Sequence, residues 1–206
     1  MKTIITFILI NILSFSGVGA PFDYFEKNMG DKFLDKFLEE PFKYKRLNSN
    51  TKEELRINYD FYSDTINKDN NSYYRYTITI SNMETYFSEK FLTDAKKLSK
   101  ACIELIDKIK ENNEIKSTDT DEVKKALAFK EIKGIGSKAY SFGWVAWGGG
   151  MMSLLFSTSD SKYSIWVSCS NHVNTGTVVP KIDMLKLGKA ISDEYDRSIS
   201  NTEPKR

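Results

Sequence analysis

Two stretches of strict alternation constrain this chain more than any other feature in it. Leu55, Ile57, Tyr59 and Phe61 alternate with Arg56, Asn58 and Asp60. After a polar stretch over 63–72, rich in Asn and Asp, Tyr74, Tyr76, Ile78 and Ile80 oppose Tyr73, Arg75, Thr77 and Thr79. Successive side chains of a strand point to opposite faces, so period two predicts half-buried strands. The two stretches form an antiparallel hairpin with a long connection. Three further strands are expected at Ala139–Trp147, Met151–Ser157 and Tyr163–Ser170. Gly148-Gly149-Gly150 and Ser159–Lys162 join them as hairpin turns.

Helical periodicity fills the intervals. Phe22, Phe25, Met29, Phe33 and Phe37 recur at three- and four-residue spacing, which predicts a short helix over 22–39 stopped by Pro41. A long helix is expected over Thr85–Asn112, with an apolar stripe of Phe87, Phe91, Ala95, Leu98, Cys102, Leu105 and Ile109. Six Lys face six acids across Glu84–Glu111, which is the pattern of a solvated helix face, and Glu104–Lys108 has favourable i,i+4 spacing. Glu122–Phe129 fits either a helical turn or the start of a strand. Pro180 is expected to open a last helix with Met184, Leu187, Ile191 and Tyr195 on one face. The fold expected is therefore α+β: a largely antiparallel sheet of five or six strands with helices packed on its faces. It forms a single domain over 21–200, followed by a polar tail at 201–206.

Residues 1–20 have the layout of a signal peptide. Lys2 precedes an apolar run from Ile4 to Leu13, and the small residues Ser14, Ser16, Gly17, Gly19 and Ala20 follow. The run is shorter than the ~20 residues of a membrane span and contains Asn11. Cleavage near Gly19 or Ala20 would leave a secreted or periplasmic protein with no membrane span in the mature chain. Removing Lys2 takes the count of 30 basic against 28 acidic residues to 29 against 28, close to neutrality. Such a balance gives no field to gather nucleic acid.

Chemistry-bearing residues are few. One histidine and two cysteines cannot build a four-ligand Cys/His zinc site, and no cofactor or metal motif appears. Cys102 on the long-helix stripe and Cys169 beside Ile165 and Val167 both point at a core. In an exported protein they could form a disulfide, or remain two buried thiols. His172 follows the last strand, and a hydrolase using histidine as general base would have to route through it. No G-x-S-x-G elbow accompanies it. Gly134-Ile135-Gly136-Ser137-Lys138 lacks the spacing of a phosphate loop and belongs to a turn. Asp60, Asp64 and Asp69 fall in or beside the first hairpin loop, where turn formation accounts for them. The aromatic surplus points to binding. Trp144, Trp147 and Trp166, with Tyr73 and Arg75, would line a groove for a small ligand or a peptide if one sheet face is incompletely covered. Alternatively, Phe25, Phe33 and Phe37 of the first helix cover that face.

Ile132-Lys133-Gly134-Ile135-Gly136-Ser137-Lys138-Ala139-Tyr140, the later Ser164-Ile165-Trp166-Val167-Ser168 strand and the closing helix carry a resemblance. About residues 129–198 look like the C-terminal half of small exported bacterial proteins of the PsbP-like α/β sandwich group. Unlike the lipoproteins of that group, this chain has no cysteine at the signal boundary. The resemblance implies a non-catalytic binding or accessory module whose partner is a protein or a small ligand, and it offers no catalytic residue. A structural partner in an envelope complex, contacting through the 63–72 loop or a sheet edge, is a third class.

Overall fold

The structure is a computed structural model that describes residues 22–30, 32–37, 44–51, 53–62, 73–111, 120–146, 149–171 and 183–202. The chain divides into two compact units, Met1–Phe33 and Leu34–Arg206. In the first, α1 spans Asp23–Asn28 with Phe25 buried. It ends where the Met29 amide donates to Phe25 O at 2.8 Å. A 3₁₀ turn, Phe33–Phe37, follows. The single helix expected over 22–39 is thus two short pieces with Gly30 between them, and glycine is the residue least able to carry a helix through.

The second unit is built on seven antiparallel strands: β1 (Tyr44–Asn50), β2 (Glu54–Tyr62), β3 (Tyr73–Asn82), β4 (Lys130–Ile132), β5 (Ala139–Ala146), β6 (Gly149–Ser157) and β7 (Tyr163–Asn171). Their order is β1-β2-β3-β7-β6-β5-β4. The α+β class holds, and the sheet has seven strands rather than five or six. β1 is the addition, and β4 is the short strand before Gly134 that makes the count six rather than five. β1 carries Lys45, Leu47, Asn48, Ser49 and Asn50 exposed, so it has no apolar alternation to reveal it. Two meanders, β1–β3 and β4–β7, meet at the β3–β7 ladder, where Ile78 stands opposite Val167 and Tyr76 opposite Cys169.

Register sorts the sheet into two faces. The back face takes Leu55, Ile57 and Tyr59 from β2, Tyr76, Ile78 and Ile80 from β3, Leu154 and Phe156 from β6, and Ile165, Val167 and Cys169 from β7, all fully buried. Each such side chain contributes on the order of 1.5–3 kcal/mol. α4, Met184–Thr202, lies over part of this face: a Cβ on Gly188 would stand 2.3 Å from Leu154 Cδ2 and 3.4 Å from Phe156 Cε1. Asp183 starts that helix, accepting from the amides of Leu185 (2.9 Å) and Lys186 (3.2 Å). This is the role of an N-cap aspartate. Pro180, expected to open the helix, lies outside the described residues.

The front face carries Trp166 of β7, Leu155 of β6, and Tyr140, Phe142 and Trp144 of β5. Two helices cover it, α2 (Glu89–Glu111) and α3 (Thr120–Leu127). Ser99 Oγ ties them to the sheet, donating to Leu127 O (2.6 Å) and accepting from the Phe129 amide (3.0 Å). Lys124 of α3 pairs with Asp107 of α2. Glu104 sits 3.6 Å from Lys100. Both cysteines are buried, neither is in a disulfide, and they take opposite sides of the sheet. Cys102 packs with Ile106, Leu127 and Trp144 in front, whereas Cys169 points to the back. Of the two alternatives, a disulfide or two buried thiols, the structure has the second, because the long helix rests on the Trp166 face and not on the Ile165–Val167–Cys169 face.

The segment Gly134–Lys138 is a clamp. Its amides are occupied by the chain itself: Gly136 N donates to Ser192 Oγ (3.1 Å), Ser137 N to Ser157 O (3.3 Å) and Lys138 N to Ser157 Oγ (3.1 Å). Ser137 Oγ also meets Ser157 Oγ at 2.7 Å and Ser161 Oγ at 3.0 Å. Burial works against the charged Asp160, yet hydrogen bonds from Thr158, the Lys162 amide and Tyr195, with the Lys162 charge, hold its carboxyl below the ordinary range. These hydroxyls and amides fasten the β6–β7 turn to α4, so the amides of Gly136, Ser137 and Lys138 are spent within the fold.

Candidate functional site

On the front face, β5 and β7 present Trp144 and Trp166 with β6 between them, and Met151 of β6 pairs with Trp144. Phe142 lies two residues before Trp144, on the same face. α2 supplies the wall. Its residues Phe91, Asp94, Ala95 and Leu98 are spaced three and four apart and share one side of the helix. Between wall and floor is an apolar cavity of about 270 Å³ lined by these residues.

The rings set its shape. Trp166 meets Tyr86 edge-on at 5.2 Å, Phe91 at 5.6 Å and Phe142 at 6.3 Å. Phe129 stacks on Phe142 at 5.9 Å from the far side. Such aromatic pairs add about 0.5–1.5 kcal/mol each beyond burial. Tyr86 is anchored in turn by donating to Glu54 Oε2 at 2.9 Å. Burial, then that hydrogen bond and the Glu54 charge, push its hydroxyl up to about 12.

Two polar atoms on this face are buried without a hydrogen-bond partner, Trp166 Nε1 and Ser153 Oγ. Ser153 stands opposite Phe142 on one side and Ser168 on the other. A buried indole N–H normally finds an acceptor, and leaving a donor unsatisfied costs about 1–3 kcal/mol. Among the described residues, the one ionisable group lining the cavity is Asp94.

Of the residues singled out in the sequence, Trp144 and Trp166 come together here. Trp147, His172 and the 63–72 loop lie outside the described residues, as does the side chain of Tyr73. Arg75 shares the front face but pairs with Ser170 in register, four residues from Trp166, or about 13 Å along the strand. Its guanidinium grips Asp60 instead, Nε donating to Oδ1 at 2.5 Å and Nη2 to Oδ2 at 2.9 Å. The wall residues Phe91, Asp94 and Leu98 were not expected at a site. The buried line of α2 is Ala95, Ser99, Cys102 and Ile106, so Leu98 and Leu105 are displaced to its flank, 49% and 47% exposed. An apolar residue one step out of phase with a buried line that accepts Ser99 is the signal that marks them.

A second cavity of about 410 Å³ lies near the start of α4, beside Met152, Leu154 and Met184. Two of its polar groups are engaged, since Lys130 Nζ donates to Lys125 O and Asp183 caps α4, while Ser153 also lines it with its Oγ unpartnered. Among the described residues no group of three or more His, Cys, Asp or Glu is placed to hold a metal ion, and no helix is long and apolar enough to cross a membrane. No protein-family model matches the chain, and neither a curated protein nor a solved structure matches it.

Proposed function

We propose that this is an exported, non-enzymatic binding module that holds a small, largely apolar ligand between α2 and the front face of the sheet. The observation that carries this reading is the apolar cavity of about 270 Å³ with Phe91, Ala95 and Leu98 on one side and Phe142, Trp144 and Trp166 on the other. This matches the general build of small-molecule sites, mostly apolar with few polar groups. Export rests on the layout of residues 1–20. The resemblance of residues 129–198 to the PsbP-like group, mostly binding and accessory modules, supports the same reading.

Ligand-observed NMR with a panel of small aromatic and aliphatic compounds tests it, read alongside the indole N–H resonance of Trp166. Saturable binding that shifts this resonance is expected. Leu98→Trp should abolish it: position 98 is half exposed at the cavity wall, so a larger ring there obstructs the cavity without loading the core. If no compound saturates, or if Leu98→Trp binds as well as the parent, the cavity is not the site.

A further inference from the structure

We propose that the ligand of this cavity is an organic monocation, an alkyl- or aryl-ammonium whose charge sits at Asp94 and whose body lies against Trp144, Trp166, Phe91 and Phe142. The inference rests on the cavity being the binding site and specifies its chemistry. Asp94 has Lys90 four residues before it and Lys97 three residues after it on α2, both at ion-pairing spacing. It pairs with neither, and no described residue gives it a hydrogen-bond or ion-pair partner. Asp94 instead borders an apolar cavity that no cation among the described residues lines.

The surrounding rings suit the same charge. The faces of Trp and Phe rings are negative and attract cations, with Trp the strongest, whereas an anion would meet both the ring faces and the carboxylate as repulsion. A neutral apolar ligand would gain the same burial but would draw no attraction from Asp94, whose exposed carboxylate stays hydrated. Carboxylate and aromatic rings together describe an amphiphilic amine.

Isothermal titration calorimetry with three compounds of one shape tests the charge: 2-phenoxyethylamine (cation), 2-phenoxyethanol (neutral) and phenoxyacetate (anion), each carrying the same phenoxy body. The amine is expected to bind about tenfold tighter than the alcohol, with phenoxyacetate weakest. In Asp94→Asn the advantage of the amine should vanish while alcohol binding stays within about twofold. Added salt should narrow the gap in the parent protein, because Asp94 is exposed. If the alcohol binds as tightly as the amine, or if the gap survives in Asp94→Asn, the charge assignment is wrong while the cavity remains a binding site. Absence of binding by all three, with the compound panel also silent, removes the site and the assignment together.

Discussion

The carbonyl oxygen of Ser157 occupies the space where a side chain on Gly136 would begin: a Cβ built there falls 1.6 Å from it. Gly136 also has φ +54°, in the left-handed region. Both facts demand glycine, the first through contact with a β6 carbonyl that cannot swing aside and the second through backbone strain. Gly136→Ala is expected to destabilise by more than about 3 kcal/mol, beyond the usual range for a point substitution. Urea denaturation followed by tryptophan fluorescence measures it, and a change under about 1 kcal/mol would show that the clamp is not rigid.

The separation of Cys102 and Cys169 by the thickness of the sheet makes a second outcome testable. Both thiols should resist iodoacetamide in the native protein and both should label after unfolding, with no reductant needed. Thermal stability should be the same with and without dithiothreitol. A non-reduced species that takes up no label after denaturation would contradict the placement of α2 on the front face.

Alkaline pH should expose the Cys169 thiol. Burial raises it from 9.0 to about 12, against a smaller opposing effect of the hydrogen bond with Tyr76. The folded state therefore keeps a proton that the unfolded state releases. This contribution to stability is fully present below pH 9 and is lost progressively as pH climbs toward about 12. Cys169→Ala removes this component, so its stability should decline less steeply over that window. Parallel curves for the two proteins in chemical denaturation between pH 8 and pH 11 would refute the assignment.

Asp60 is 4% exposed and depends on Arg75. Removing one partner leaves a buried charge unmatched, so Arg75→Ala should cost about 2–3 kcal/mol, reduced from a fully buried pair because Arg75 is itself a third exposed. Asp60→Asn combined with Arg75→Ala should recover part of the loss. A double-mutant cycle with no coupling would show that the pair is incidental.

The sequence is most informative where one face of an element is dry and the other wet. β2 and β3 were legible down to their facing because Leu55, Ile57 and Tyr59 alternate cleanly with polar residues, and the register Ile57 opposite Ile78 realises that pattern. β1 was not, because its side chains are mostly solvated and only backbone pairing makes it a strand. Trp166 was legible because it stands out of phase with Ile165, Val167 and Cys169, whereas Trp144 was grouped with it, along with Trp147, only as part of the neighbouring hairpin arm. Periodicity states that Cys102 is buried, but not against which face of which sheet. That information is tertiary, and its absence is why a disulfide could be drawn. The wall of the cavity was hidden for a related reason. A helix stripe shows a general apolar direction, whereas the choice between Leu98 and Ser99 for the buried line is settled by the acceptor and donor that Leu127 and Phe129 bring to Ser99.

The ladder between β3 and β7 has a kinetic meaning. Within each meander, strands pair with near neighbours in the chain, but Ser81 and Ser164, joined at 2.9 Å, are 83 residues apart. Closing so large a loop costs entropy before any contact rewards it, so contacts this distant slow folding. The two meanders can form early, each with one raw edge. Until those edges meet, Trp166 lies on a border strand. The cavity itself is lined from α2 and β5–β7 alone, so its floor belongs to the later meander, and the longest-range ladder serves to bury the β7 edge beside it.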